Sequence, residues 1–519
     1  MRKFNVTGLC TPEEDYMVDI GGKLERIRRL VDGRCYFTIN RARQYGKTTT
    51  LNMLRRTIFD EYMCINLSFE GVGTTMFVNA KSFCQRFLWQ LENASYCGQS
   101  EKQKWQNDGV SDFDELNVHL TQICASKRIV LMIDEVDKAS NHEVFLQFLG
   151  MLRNKFNERK SGMGATFHSV ILAGVYDIRN IKSKMMSEGK YMPTALEDKR
   201  YDSPWNIAVD FDVDMSFSPT EIATMLGEYE VDNNTNMHIA EISKEIHVYT
   251  NGYPVLVSMI CKTIDEKLNK NWTVDGILEA VKILLMEKQM LFDDLFKNLE
   301  NNRNLYDLIY DVLILGTKRT FSFGNPTIDI GFIYGIIERE NQFVSVSNRI
   351  YEIAICDYFI SKDEESKNKR ISGILQYDVV RDGRFDMELC LRKFADHYAE
   401  LFNEDDADFL ERNGRLLFLS YLKPLINGQG FYHIESQFTD LRRMDVVVDF
   451  GREQFILELK IWRGEKAENK AYEQLVGYME SKRADKGYLL VFDFRSKKNK
   501  ERKIEWINVD GKMILEVKV

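Results

Sequence analysis

The chain lacks most of the features that would place a protein outside the cytoplasm. Its nine cysteines are odd in number and scattered, with no Cys-x-x-Cys pair. That excludes a disulfide-built scaffold and zinc-site spacing, and it predicts reduced thiols. Long apolar runs are also missing. Residues 129–133 and 170–175 are strand-sized, well short of the roughly 20 residues a membrane-spanning helix needs. Met1-Arg2-Lys3-Phe4-Asn5-Val6 is basic, but no apolar stretch of signal-peptide length follows it. The expectation is a cytoplasmic protein with no membrane partner. No tract is of low complexity, and no basic excess exists: the net charge is −9. A protein that coats nucleic acid over its whole surface is excluded, whereas a local basic groove is not.

What is present begins with length. A chain of 519 residues exceeds one hydrophobic core and predicts roughly three or four domains. An apolar run, Tyr36-Phe37-Thr38-Ile39, leads into Asn40-Arg41-Ala42-Arg43-Gln44-Tyr45-Gly46-Lys47-Thr48-Thr49. Leu51, Met53, Leu54 and Ile58 then recur at helical spacing. Strand, Gly-Lys-Thr turn and helix are the parts of a phosphate-binding loop. There the helix N-terminus and backbone N–H groups face an anion, a lysine reaches the β/γ-phosphates and a threonine hydroxyl ligates Mg²⁺. Arg41 stands where a glycine ordinarily opens such a loop. The plainer reading of Gly-Lys-Thr alone is a capped helix start.

A second stretch decides between them. Arg128-Ile129-Val130-Leu131-Met132-Ile133-Asp134-Glu135-Val136-Asp137 has five apolar residues ending in two acids, as suits a central parallel strand. In P-loop ATPases this is the Walker B position, where Asp134 would hold the Mg²⁺ shell and Glu135 would activate water. A third apolar strand at 169–175 ends in Tyr176-Asp177, read either as a γ-phosphate sensor or as a turn. Arg179, Lys182 and Lys184 follow as a small basic patch. Residues 209–215 alternate strictly, placing Asp210, Asp212 and Asp214 on one face. This segment is expected to close the sheet; metal binding and a solvated face both fit its carboxylates. The Phe83, Phe87 and Leu91 stripe at 80–91 reads as core, and 101–112 as a polar surface loop.

From Ser218 the period turns helical, and Gly252 and Pro254 mark the end of one helix and the first turn of the next. Helices over 280–320 and a small β-like region at 321–344 are compatible with a winged-helix module, read here as packing rather than DNA-binding. The charged run 361–370 is the best candidate for a linker. Beyond it the order is two amphipathic helices (387–403, 405–425), strands at 432–437, 444–450 and 454–461, a helix at 467–482 and a strand at 487–492. Asp445 lies in the second strand, and Glu458 and Lys460 share a face of the third by their period of two. Two carboxylates can hold a divalent metal while a lysine neutralises developing charge. Gln474 and Tyr478 share a face of the following helix. Glu411 and Glu435 are weaker candidates for an added acid. Arg442, Arg443, Arg463 and the run 495–503 supply local positive charge, equally readable as a nucleic-acid contact or a solvated loop.

The order of these motifs resembles a bacterial family in which an AAA-ATPase-like domain is fused to a C-terminal domain of the PD-(D/E)XK nuclease superfamily. Its most telling stretches are 36–50, 133–137, 173–177, 203–217, 442–450 and 457–463. The resemblance implies an α/β fold. A P-loop NTPase (AAA/STAND-like) parallel sheet would occupy 1–217, with a helical lid at 218–300 and a winged-helix-like module at 301–360. A linker at 361–375 would join a separate restriction-endonuclease-like α/β domain at 376–519. It implies ATP contacted by Arg43, Gly46, Lys47, Thr48, Thr49, Asp134 and Pro254, with Thr48 and Asp134 as Mg²⁺ ligands and Glu135 as the catalytic acid. It also implies a nuclease site of Asp445, Glu458, Lys460, Gln474 and Tyr478, the two acids holding Mg²⁺ or Mn²⁺. Gln474 and Tyr478 match the Gln-x-x-x-Tyr of the exonuclease-type branch. The expected function is ATP hydrolysis gating cleavage of DNA, in a chain that can form a homo-oligomer. The alternative is a nucleotide-dependent switch whose nuclease-like domain binds a partner or nucleic acid without cleaving.

Overall fold

The computed structural model describes residues 2–94, 105, 109–140, 142–175, 205–315, 317–366, 379–401, 407–426, 429–435, 445–451, 453–462, 465–493 and 503–519. Tyr176, Asp177, Arg179, Lys182, Lys184, Arg442, Arg443, Arg463 and residues 495–502 lie outside this set. Compactness divides the chain into two units: Met1–Ser243 with Gly252–Lys262, and Lys244–Asn251 with Thr263–Val519. Among the described residues no helix is long and apolar enough to cross a membrane.

The first unit is built on a four-stranded parallel sheet. Its strands are β1 (Tyr36–Asn40), β2 (Met63–Ser68), β3 (Ile129–Asp134) and β4 (Ser169–Gly174), in the order β1-β4-β3-β2. Helices α1 (Gly21–Asp32), α2 (Lys47–Ile58), α3 (Ala80–Ala94), α4 (Phe113–Cys124) and α5 (Glu143–Lys160) fall between or before them. All six residues of β3 are buried. Each of its large aliphatic side chains contributes roughly 1.5–3 kcal/mol relative to exposure, so the strand cannot slide, and Asp134 is delivered to its carboxyl end. Phe83, Phe87 and Leu91 of α3 are core residues, packed with Phe145 and Phe148 of α5. The segment 101–112 departs from expectation. Trp105 and Val110 are each only 1% exposed and join the same core, because a large indole gains more from burial than the polar composition around it suggests.

Residues 209–215 also differ from the expected sheet-closing strand. Val213 and Met215 are buried and Asp212 and Asp214 exposed, as alternation predicts, but Val209 is exposed along with Asp210. Yet only one isolated bridge, Val209 to Phe37, joins the segment to β1. The unit continues with α6 (Pro219–Asn233), whose Ser218 and Glu221 form a reciprocal capping box with Pro219 in the first turn.

Two helices follow, α7 (Ile239–Thr250) and α8 (Pro254–Lys267). The second unit then carries α9 (Val274–Met286), α10 (Met290–Asn301), α11 (Arg303–Leu313) and α12 (Pro326–Ile333). Next come the hairpin β5 (Ile337–Glu340) and β6 (Phe343–Val346), then α13 (Arg349–Ser366). The run expected as a linker is helical as far as Ser366, which suits its lysine and glutamate content. A two-residue ladder, β7 (Val380–Arg381) with β8 (Arg384–Phe385), precedes α14 (Met387–Leu401) and α15 (Ala407–Ile426). A six-stranded mixed sheet closes the unit. It comprises β9 (Gly430–Glu435), β10 (Asp445–Phe450), β11 (Glu453–Ile461), β12 (Lys486–Phe492), β13 (Lys503–Val509) and β14 (Lys512–Lys518), in the order β13-β14-β12-β11-β10-β9. β9, β10 and β11 form an antiparallel meander; β11, β12 and β14 run parallel. α16 (Glu465–Ser481) joins β11 to β12 and covers the sheet through Ala471, Leu475 and Met479.

Candidate functional site

After β1 the chain turns through residues 41–45, and Gly46 caps α2 with φ 75°, a left-handed conformation that glycine adopts without penalty. Lys47 is 6% exposed, and its Nζ donates to the carbonyls of Arg41 and Ala42, both at 2.9 Å. Burial lowers its pKa, against the opposing pull of Glu135, Asp134 and Asp137. The result is a poorly hydrated cation over the loop, able to exchange two neutral acceptors for a phosphate at a net gain. Thr48 Oγ1 donates to Asp134 Oδ2 at 2.5 Å, so the two expected metal ligands meet directly.

Glu135 leaves β3 with φ 53°, a region a non-glycine residue rarely occupies and one enriched at functional sites. Burial, then the charge of Asp134, raises its pKa, with Lys47 acting the other way. Asp137 accepts the backbone N–H of Val175 at 2.5 Å, fixing the end of β4 beside these acids. Arg41 is tied to backbone carbonyls on both sides. Its guanidinium donates to the carbonyls of Asn40 (2.8 Å) and Val213 (2.9 Å) and lies 5.7 Å from the Phe211 ring centre.

Beside the loop lies a cleft of about 890 Å³, counting the solvent at its mouth. Gly46, Thr49 and Thr50 line it together with Tyr16, Val18, Ile20, Met215, Phe217, Pro254 and Val255, which make its walls largely apolar, whereas Lys47, Thr48, Asp134 and Glu135 are not among its lining residues. Thr49 Oγ1 accepts the N–H of Cys10 at 3.3 Å, and Arg43, itself exposed, gives its carbonyl to Tyr253 Oη at 2.6 Å. Sequence reasoning missed the wall supplied by residues 5–20. The signal was there in the alternation of Tyr16, Val18 and Ile20, all buried.

A family model described as an AAA-like domain matches residues 25–359. The chain belongs to the AAA-like domain family. No curated protein sequence matches it. Among solved structures, this AAA-like chain is similar to the Walker-type ATPase PABY2304 of Pyrococcus abyssi (11% identity, TM-score 0.46, 68% of this chain and 99% of that one). It is similar also to the Aeropyrum pernix ORC2 protein in its ADPNP–ADP complexes (13%, 0.33, 66% and 92%). A further similarity is to Cdc6p from Pyrobaculum aerophilum (13%, 0.32, 69% and 97%).

The AAA-like match ends before the mixed sheet, which holds the other group of expected residues. Asp445 stands directly opposite Glu458 in the β10–β11 ladder and opposite Glu435 in the β10–β9 ladder. Asp445, Glu435 and Glu411 are described by backbone position only. Glu458 is 1% exposed and ion-paired with Lys460, its Oε2 buried without a hydrogen-bond partner among the described residues. Burial raises its pKa, while Lys460 and then Arg415 pull it down. Arg415, 4% exposed, donates to the Leu313 carbonyl at 2.5 Å; no local pattern in the sequence marks it. Gln474 is half-buried on α16, whereas the Tyr478 ring packs in the apolar core with Leu475 and Met479. Among the described residues no three His, Cys, Asp or Glu side chains converge as a metal site would require.

The sheet also repeats itself. Glu458 aligns with Leu489 and Leu489 with Glu516; Lys460 aligns with Val491 and Val491 with Lys518. The Glu-x-Lys of β11 therefore recurs two strands away on the same face. Lys518 pairs with Glu468 at 3.3 Å, and Lys503 with Glu516 at 2.9 Å. Burial, then the neighbouring Glu516, raises the pKa of Glu468. The identical spacing in 458–460 and 516–518 is the signal that could have found this second set.

Proposed function

We propose that this AAA-like chain binds ATP with Mg²⁺ in the cleft beside Gly46 and hydrolyses it. We further propose that its C-terminal mixed-sheet region is a metal-dependent nuclease acting on DNA, with cleavage gated by the nucleotide. The observation that carries the reading is the meeting of Thr48 with Asp134 at 2.5 Å beneath a buried Lys47. A hydroxyl and a carboxylate in contact are a fitting donor set for Mg²⁺, which would replace the hydroxyl proton between them. Bound there, the ion would neutralise charge on the phosphates. Lys47 would bind the β/γ-phosphate oxygens, the apolar walls would take the base, and Glu135 would accept a proton from water. The raised pKa of Glu135 suits that task, because a base is most effective near the working pH.

For the second activity the support is the register that sets Asp445 against Glu458, and the buried Glu458 Oε2, which has no hydrogen-bond partner among the described residues. An orphaned carboxylate oxygen fits a Mg²⁺ or Mn²⁺ ligand, since an unmade interaction of that kind is costly otherwise. The metal would polarise a phosphodiester; Lys460 would neutralise charge on it, and Gln474 would orient it. The rival reading, a nucleotide-dependent switch, takes support from the packing of Tyr478 in the apolar core, which takes one expected group out of the nuclease site.

One experiment separates them. ATP hydrolysis is measured with and without single- and double-stranded DNA, and DNA cleavage with Mg²⁺ or Mn²⁺. The nuclease reading expects cleavage that Glu458→Ala and Lys460→Ala abolish. Wild-type DNA products no different from those of both variants would sink it. ATP-dependent association without cleavage, lost in Lys47→Ala, would establish the switch.

A further inference from the structure

An arginine where a phosphate-binding loop ordinarily opens with glycine should leave that loop either looser or misshapen. The structure shows instead that the loop is tied down by side chains. The carbonyls of four consecutive residues, Asn40 to Arg43, each accept a side-chain hydrogen bond: from Arg41, Lys47, Lys47 and Tyr253 in turn. Two of those bonds are temporary on the nucleotide reading above, on which this inference rests. A phosphate that draws the Lys47 ammonium to itself takes it from the carbonyls of Arg41 and Ala42. The loop would then lose half of these restraints at the moment it must hold its shape. Arg41 and Tyr253, at its two ends, are not needed by the phosphate and can stay.

Both are themselves well anchored. Arg41 reaches past the loop to the Val213 carbonyl at 2.9 Å. Three residues further along that segment, Ser216 Oγ meets Tyr45 Oη at 3.0 Å, and the Ser216 carbonyl accepts Lys23 Nζ at 2.5 Å. The Tyr45 and Tyr253 rings lie 4.7 Å apart at 32°, within the range where aromatic pairs attract. The Gly252 carbonyl accepts the Phe217 N–H at 2.8 Å, joining the same segment to the residue before Tyr253. Loop, segment 213–217 and the start of α8 thus form one closed ring of contacts.

We propose that Arg41, Tyr45 and Tyr253 are positioning residues that hold the phosphate loop in its binding shape, replacing the conformational role of the missing glycine. None of them touches the reacting atoms on this account. Their effect is therefore on nucleotide affinity, with little on turnover once ATP is bound. The sharpest consequence runs against the motif. Arg41→Gly, which restores the ordinary loop sequence, impairs the site.

The test is a titration of the full chain with Mg-ATP by calorimetry, alongside steady-state hydrolysis. Arg41→Gly raises Kd at least about tenfold and KM with it, while kcat stays within about threefold. Arg41→Lys, which keeps one donor, recovers part of the loss. Tyr253→Phe removes a single oxygen and raises Kd about 2- to 10-fold, the worth of one hydrogen bond. Arg41→Gly binding as tightly as wild type overturns the proposal, as does a loss confined to kcat. Should Arg41→Gly fail to fold, Tyr253→Phe decides alone: an unchanged Kd refutes the clamp. A wild-type chain that binds no nucleotide overturns the ATP reading itself, a result that no variant comparison could be confused with.

Discussion

Gly252 is the position where one added methyl group would do the most damage to the cleft. Its φ is 69°, and a Cβ placed there would lie 2.1 Å from the Phe217 carbonyl oxygen and 2.7 Å from the Phe217 nitrogen. In Gly252→Ala the left-handed backbone costs roughly 1–2 kcal/mol. The backbone must also move by more than an ångström, and it sacrifices the Phe217 N–H bond to the Gly252 carbonyl, worth about 1 kcal/mol. The combined strain is of order 3–5 kcal/mol, with the displacement included. It falls two residues before Pro254, which with Val255 lines the cleft. If a third of it, about 1.4 kcal/mol, is felt by the bound nucleotide, affinity drops about tenfold. Calorimetry with Mg-ATP reads that loss, and amide hydrogen exchange reads the faster opening expected at Phe217. Unchanged Phe217 exchange with a Kd within twofold of wild type would refute the reasoning.

Other expectations follow from the same geometry. Glu135→Gln should keep Mg-ATP binding within a few-fold and cut kcat at least about 100-fold. Because burial and Asp134 raise the pKa of Glu135, the acid limb of the wild-type hydrolysis profile should lie above the ordinary carboxylate range. A profile flat through that region would contradict its role as base. Glu458→Gln should abolish cleavage and yet raise the melting temperature at neutral pH. The folded-state pKa of Glu458 is raised, by burial. Ionising it is therefore easier in the unfolded chain, and stability falls as pH climbs from the unfolded to the folded value. Glutamine removes that fall. A thermal melt that shows Glu458→Gln less stable at pH 7.5 than at pH 5, relative to wild type, would reverse the sign.

What could be read from the sequence was what lies close together along it. Gly46, Lys47 and Thr48 are contiguous, and the fully buried run of β3 announces where Asp134 must end up. Glu458 and Lys460 share a face of one strand by period two, and they form an ion pair there. Pairings between distant residues left no local mark. Nothing in the loop says that Arg41 reaches Val213 or that Tyr253 reaches Arg43. Alternation at 209–215 matched exposure at 212–215 but not at Val209, which is exposed, and it overstated the hydrogen bonding, since an extended segment can bury alternate side chains while making one bridge. The helical 361–366 shows a similar ambiguity: lysine and glutamate serve linkers and helices equally well. Arg415 reaches Leu313 across more than a hundred residues of sequence, a distance at which spacing carries no information.

The central claim is that the cleft beside Lys47 takes ATP with Mg²⁺. Isothermal titration of the full chain tests it most directly, with wild type and Lys47→Ala measured side by side at matched Mg²⁺. The account predicts saturable binding by wild type and, on removal of a buried cation that meets the phosphates, a loss of at least about 100-fold in Lys47→Ala. Equal affinity in the two chains, or no binding by a folded wild type, would contradict it.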